Sequence, residues 1–145
     1  MKNIMYLFLL VAGTIFTSCE KDGEVKPSLL DQAQGGWVIE GVFDTEDNTS
    51  RAPADPHEGY LFQDRKITLG QAVPDAHGEG YELFGHVNGE LKEATDTQLT
   101  YIMHGYSSDY EKTFTFHQGK LRVDNLERNF YILYKRVDIT SIVTE

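Results

Sequence analysis

From Gly36 onward the chain alternates apolar and polar positions in short runs, interrupted by turn residues about every ten positions, a pattern of period two that predicts strands. Trp37, Ile39, Gly41 and Phe43 alternate with Val38, Glu40, Val42 and Asp44, and Leu99, Tyr101 and Met103 alternate with Thr100, Ile102 and His104. Each run has one face suited to a core. The expected strands are Trp37–Phe43, Gly59–Gln63, Lys66–Leu69, Tyr81–His86, Glu90–Glu93, Leu99–His104, Glu111–His117, Lys120–Asp124 and Phe130–Val137, with the second and third both short. Asn88-Gly89 supplies the two residues that a type I′ hairpin needs at positive φ, so a turn is expected there, and a second one at Gln118-Gly119. One helical turn is expected over Leu29–Gln34 and a loose end over Asp138–Glu145.

Strands joined by short turns pair with their neighbours, and closing the sheet removes its edges. The fold class expected is therefore all-β: an up-and-down antiparallel barrel of about eight strands, with an open β-sandwich as the alternative. Counting connections alternately puts the loops after Phe43, Leu69, Glu93 and His117 at one end. Those after Gln63, His86, His104 and Asp124 fall at the other. The long connections Asp44–Glu58 and Gly70–Gly80 thus share a mouth, opposite the end where Trp37 opens its strand.

The start of the chain has a different character. Lys2 precedes the apolar run Ile4–Val11, and Thr17-Ser18 bring small residues to Cys19, the single cysteine. This is the order of a secretory signal. The uncharged run Asn3–Ser18 is 16 residues long, short of the ~20 that a spanning helix needs. Phe16-Thr17-Ser18-Cys19 resembles the lipobox of bacterial lipoproteins, with Phe16 in place of the usual Leu, Val or Ile. That resemblance implies residues 1–18 as a cleaved signal peptide, Cys19 as the lipidated residue, and residues 19–28 as a polar tether ahead of a domain spanning 29–145. It also implies an outer-membrane anchor in the bacterial cell envelope, facing the periplasm or the surface. Acidic residues after Cys19 resemble a surface-export signal of some Gram-negative lipoproteins.

Gly35-Gly36-Trp37 matches the Gly-x-Trp that opens the first strand of lipocalins, and the meander ends in the aromatic-rich run Tyr131–Arg136. The chain resembles the small lipocalin-like domains of bacterial lipoproteins over roughly Leu29 to Val137. Ser108-Asp109-Tyr110 resembles the family's Thr-Asp-Tyr. The resemblance further implies an arginine over the tryptophan, with Arg136 and Arg122 as candidates, and a ligand-binding barrel. The usual disulfide cysteines and carboxy-terminal helix are missing.

Composition narrows the chemistry. A net charge of −10 disfavours a phosphate backbone, so no nucleic-acid partner is expected. One cysteine excludes an intramolecular disulfide. Asp55-Pro56-His57-Glu58-Gly59-Tyr60 and Asp75-Ala76-His77-Gly78-Glu79-Gly80-Tyr81 are near copies. By the loop count they meet His117 at the mouth, where three imidazoles suit a borderline metal, although Asp-x-His is also ordinary turn chemistry. His86 and His104 are placed at the other end. Ser107, Ser108 and Asp109 lack a Gly-x-Ser-x-Gly elbow, and the reading is non-enzymatic, without a cofactor. Phe43, Phe62, Phe84, Phe114, Phe116 and Phe130 are assigned to strands and mostly to the core. Trp37, Tyr60, Tyr81, Tyr101, Tyr131 and Tyr134 are candidates to line a barrel that takes a small, mainly apolar ligand, their hydroxyls setting orientation. The alternative is a solid barrel filled by the same rings, acting as an accessory module on an envelope protein.

Overall fold

In the computed structural model, which describes residues 27–144, the alternating segments close on themselves. Helix α1 (Leu29–Ala33) leads into β1 (Gly35–Asp44), β2 (Ser50–Arg51), β3 (Glu58–Gln63), β4 (Lys66–Pro74), β5 (Tyr81–Ala94), β6 (Gln98–His104), β7 (Asp109–His117), β8 (Lys120–Asn125), β9 (Phe130–Val137) and β10 (Ile139–Thr144). β1 and β3 to β9 pair antiparallel in chain order, and β9 returns to β1, which completes an eight-stranded barrel. β2 adds to β1, and β10 runs parallel to the first part of β5. The expected signal segment, Cys19 and the expected tether as far as Lys26 lie outside the described residues. Ser28, expected in the tether, instead caps α1: its hydroxyl accepts from the Asp31 amide at 3.2 Å, and the Asp31 carboxylate accepts from the Ser28 amide at 3.1 Å.

Helix α1 closes the base. Leu29, Leu30 and Ala33 pack on the core, and the Trp37 indole donates to the Ala33 carbonyl at 2.7 Å. Arg136 lies over the Trp37 ring at 4.5 Å and donates to the carbonyls of Gln32 and Gln34, so one guanidinium both stacks on the indole and satisfies two carbonyls at the end of a short helix. Arg122 lies instead over Tyr131, at 4.0 Å. The tight turn at Gln118-Gly119 is present, both residues at positive φ (51° and 76°).

Asn88-Gly89 makes no turn. β5 runs through it for 14 residues, and the expected strands Tyr81–His86 and Glu90–Glu93 are one. Asn88 is paired on both sides, with Thr68 and His104, and its side chain bonds to the Thr68 hydroxyl at 3.1 Å. Gly89 faces inward where a Cβ would meet the Ile102 carbonyl, Met103 and Ile67, so close packing, not positive φ, requires the glycine.

With one turn fewer, every later connection changes ends. The 118–119 turn joins α1 at the base, while loops 105–108 and 126–129 join the strap 45–57 at the mouth. The β4–β5 hairpin leaves the mouth altogether. Its ladder shifts register beside His86, between Leu69/Gly70 and Val87/Gly85, and beyond that bulge the hairpin crosses the outer face of β3 and β1. There Ala72 and Leu83 bury Val38 and Leu61 in a second apolar cluster, and the Tyr81 amide reaches the Asp138 carbonyl at 2.9 Å beside the end of β9. β10 flanks this hairpin, pairing with Tyr81 to Gly85. The expected loose end is therefore a strand as far as Thr144.

Candidate functional site

The inward rows can be followed from mouth to base: Glu58, Tyr60, Phe62 on β3; Tyr110, Lys112, Phe114, Phe116 on β7; Phe130, Ile132, Tyr134 on β9. Below the mouth the barrel is filled. Tyr60, Phe62, Tyr101, Phe114 and Tyr134 are all fully buried, and their rings meet edge to face. Centroids are 5.1 Å apart for Tyr60 and Phe114, 5.2 Å for Tyr60 and Tyr134, 5.2 Å for Phe62 and Phe114, and 5.5 Å for Phe62 and Tyr101. That is the arrangement the ring quadrupole favours, and it occupies the axis of an eight-stranded barrel.

A polar layer caps this plug. The Glu58 carboxylate accepts hydrogen bonds from the hydroxyls of Tyr60, at 3.2 Å, and Tyr134. The Lys112 ammonium sits 5.1 Å from the centroid of the Tyr60 ring. Burial lowers its pKa, partly offset by the negative charge of Glu58. Burial likewise holds both tyrosines well above the ordinary phenol value, with Glu58 adding to the shift in each and Tyr134 adding to that of Tyr60. Tyr101, whose buried hydroxyl has no partner, is pushed up to about 12, again by burial, against a small opposing effect of Arg65.

These three phenols bind their protons more tightly folded than unfolded, where the value is about 10. Their contribution to stability is complete below about pH 10 and disappears as pH rises through the folded values. In an alkaline titration, far-ultraviolet circular dichroism should hold to about pH 10 and collapse above it, with tyrosinate absorbance from the buried rings rising in the same transition. Ionisation of those rings with the dichroism intact would contradict this.

Above Glu58 the mouth opens into a pocket of about 250 Å³. Ile39, Val42, Phe130 and Ile132 form an apolar floor, and Ala52 and Ala54 of the strap form a side wall. Arg51, Arg128, Asp55 and Glu58 supply charge of both signs. The strap is tied down: Arg51 forms an ion pair with Asp44, the Thr45 hydroxyl donates to the Asn129 carbonyl at 3.0 Å, and Tyr131 donates to the Asn48 side chain at 2.9 Å.

Of the expected lining residues, Trp37, Tyr60, Tyr101 and Tyr134 lie inside the barrel, where they fill it. Tyr131 faces outward, stacked on Phe43 at 5.5 Å, and Tyr81 belongs to the outer cluster under the crossed hairpin. The three histidines are not brought together. His57 ends the strap at the mouth, His77 is in the hairpin tip beside Asp138, and His117 is at the base. Among the described residues no three His, Cys, Asp or Glu side chains are grouped to hold a metal ion. The near-copy loops share turn chemistry: the amides of His57 and His77 donate to Asp55 and Asp75, at 2.9 and 3.1 Å. His86 lies at the bulge, and His104, now at the mouth end, meets Asp109 at 3.1 Å.

The mouth residues Ile39, Glu58, Lys112, Arg128 and Ile132 were not singled out from sequence. Lys112 carried a readable signal: it interrupts the aromatic row Tyr110, Phe114, Phe116 on the inward face of one strand. Comparison with protein-family models, with curated proteins and with solved structures finds no match for the chain.

Proposed function

We propose that the chain is a lipid-anchored lipoprotein of a bacterial cell envelope whose lipocalin-like barrel is a non-enzymatic binding domain, taking a small molecule with an apolar body at its mouth and not along its axis. The observation that carries this reading is the 250 Å³ pocket at the open end, floored by inward-facing Ile39, Val42, Phe130 and Ile132. The filled axis supports the placement, because a ligand entering the barrel would have to displace fully buried rings. Anchoring through Cys19 fits the same geometry. The tether leads into α1 at the base, and its seven residues Glu20–Lys26 reach at most about 25 Å, which keeps the base within that distance of the anchor.

Native mass spectrometry of the protein purified with its anchor from its own envelope tests this, with the denatured mass as reference. A reproducible added mass of about 100–200 Da, on the order of what so small a pocket encloses, is expected. It should be lost in Ala54→Trp, which fills the pocket from the strap and leaves the core untouched. A bare mass, or an added mass indifferent to Ala54→Trp, would overturn the mouth as the binding site.

One observation favours a second reading. Tyr106 and Leu126 are 89% and 82% exposed on neighbouring mouth-side loops, as expected of a module that docks on another envelope protein through this end. A bare mass together with a cross-link from position 106 or 126 that is lost in a Tyr106→Ser, Leu126→Ser variant would favour it.

A further inference from the structure

We infer that the molecule held at the mouth is a zwitterion with an apolar arm, of the chemistry of a free α-amino acid such as leucine. The inference rests on the mouth as binding site and identifies the class of its ligand from the groups left available there. Arg51 is paired with Asp44, and Glu58 takes the hydroxyls of Tyr60 and Tyr134 on one carboxylate oxygen, Oε1. Three charged groups of the pocket keep free capacity, Glu58 through its other oxygen, which makes no hydrogen bond among the described residues. Arg128 makes no ion pair among the described residues. Asp55 uses one carboxylate oxygen for the His57 amide, and the other makes no hydrogen bond among the described residues. One open guanidinium and an open carboxylate oxygen on each of Asp55 and Glu58, beside an apolar floor, are complementary to a carboxylate and an ammonium on a branched aliphatic arm. Arg128 grips the carboxylate through paired N–H donors, Asp55 accepts from the ammonium, and the arm lies on Ile39, Val42, Phe130 and Ile132.

Size and field agree with this class. A volume of about 250 Å³ holds one such molecule and little more. The chain carries a net charge of −10, which opposes the approach of a plain anion, whereas a zwitterion is neutral at a distance and charged only in contact. A simple carboxylate would leave Asp55 without a partner, and a simple amine would leave Arg128 without one.

Calorimetric titration of the full chain in detergent micelles with L-leucine, isocaproate and isoamylamine isolates each contact, because the second probe lacks the ammonium and the third the carboxylate. Leucine should bind at least tenfold more tightly than either fragment. Arg128→Gln should weaken leucine about tenfold and leave isoamylamine unchanged. Asp55→Asn, which keeps the oxygen that holds the His57 amide, should weaken leucine and leave isocaproate unchanged. Leucine binding no tighter than isocaproate or isoamylamine would overturn the zwitterion while leaving the mouth as the site. The same follows if leucine gives no heat up to about 10 mM, a contact too weak to be specific, while the native mass still shows a ligand that Ala54→Trp removes. No heat from any probe and a bare native mass would remove both readings together.

Discussion

Phe114→Ala is expected to lower the stability of the chain by about 3–5 kcal/mol. Phe114 is fully buried and is the ring on which the plug converges, meeting Tyr60, Phe62 and Tyr101 edge to face at 5.1, 5.2 and 5.9 Å. Those neighbours come from β3 and β6, two strands whose backbones are fixed by pairing on both sides, so they cannot close over the gap. The loss therefore includes the transfer energy of the ring and most of the cavity term. Urea unfolding followed by the fluorescence of Trp37, the single tryptophan, gives the number. The resulting void is apolar, which makes a second result measurable: the variant should regain stability in the presence of a small aromatic such as benzene, and the parent should not. A loss below about 1.5 kcal/mol, typical of a site that can collapse or was never tightly packed, would mean that the rings do not fill the axis.

How much of this arrangement was legible along the chain depends on the range of the interaction responsible. Period two exposed the strands, and a resemblance carried by two short motifs offered Arg136 or Arg122 as the arginine over Trp37, of which the fold uses Arg136. The tight turn at Gln118-Gly119 was legible because its two positive-φ residues are a local requirement. The same logic failed at Asn88-Gly89, where the glycine answers to Ile67, Ile102 and Met103, residues far away in sequence. That single error moved His117 from mouth to base, since alternation of ends propagates through every later connection. β10 escaped notice for a related reason. Its partner is a parallel segment, Tyr81 to Gly85, nearly sixty positions earlier, and nothing local in Ile139–Thr144 names that partner. At the mouth the individual residues were plain, but their meeting was not. The register that turns Glu58 toward Tyr134 is set by the closure of β9 on β1, a contact between the two ends of the domain.

Gly70→Ala should separate the crossed hairpin from the barrel at a cost of about 3 kcal/mol, the upper range for forcing an atom into a packed site. A Cβ at Gly70 would sit far inside van der Waals contact with the carbonyl oxygen of Phe84, on the strand paired beside it, and near Gly85 as well. Both neighbours are backbone, so no side chain can rotate away, and relief requires the bend itself to open. The hairpin beyond it is held by a small cluster, Ala72 and Leu83 on Val38 and Leu61, whereas the barrel is held by its closed ladder and its ring-filled axis. The damage should therefore stay local. Hydrogen exchange in the variant should accelerate over residues 72–85 and 139–144 and remain slow in β6 to β9. Gly78→Ala provides the contrast: Gly78 has a φ of 71° but open space around it, so only the backbone preference is lost, about 1 kcal/mol, with exchange in β10 unchanged. Equal effects of the two substitutions, or slow exchange retained in β10 after Gly70→Ala, would show that the bend at Gly70 does not hold the hairpin across β1 and β3. Unprotected, Val38 and Leu61 would add an apolar patch to the outer wall, and the variant should also self-associate more readily than the parent.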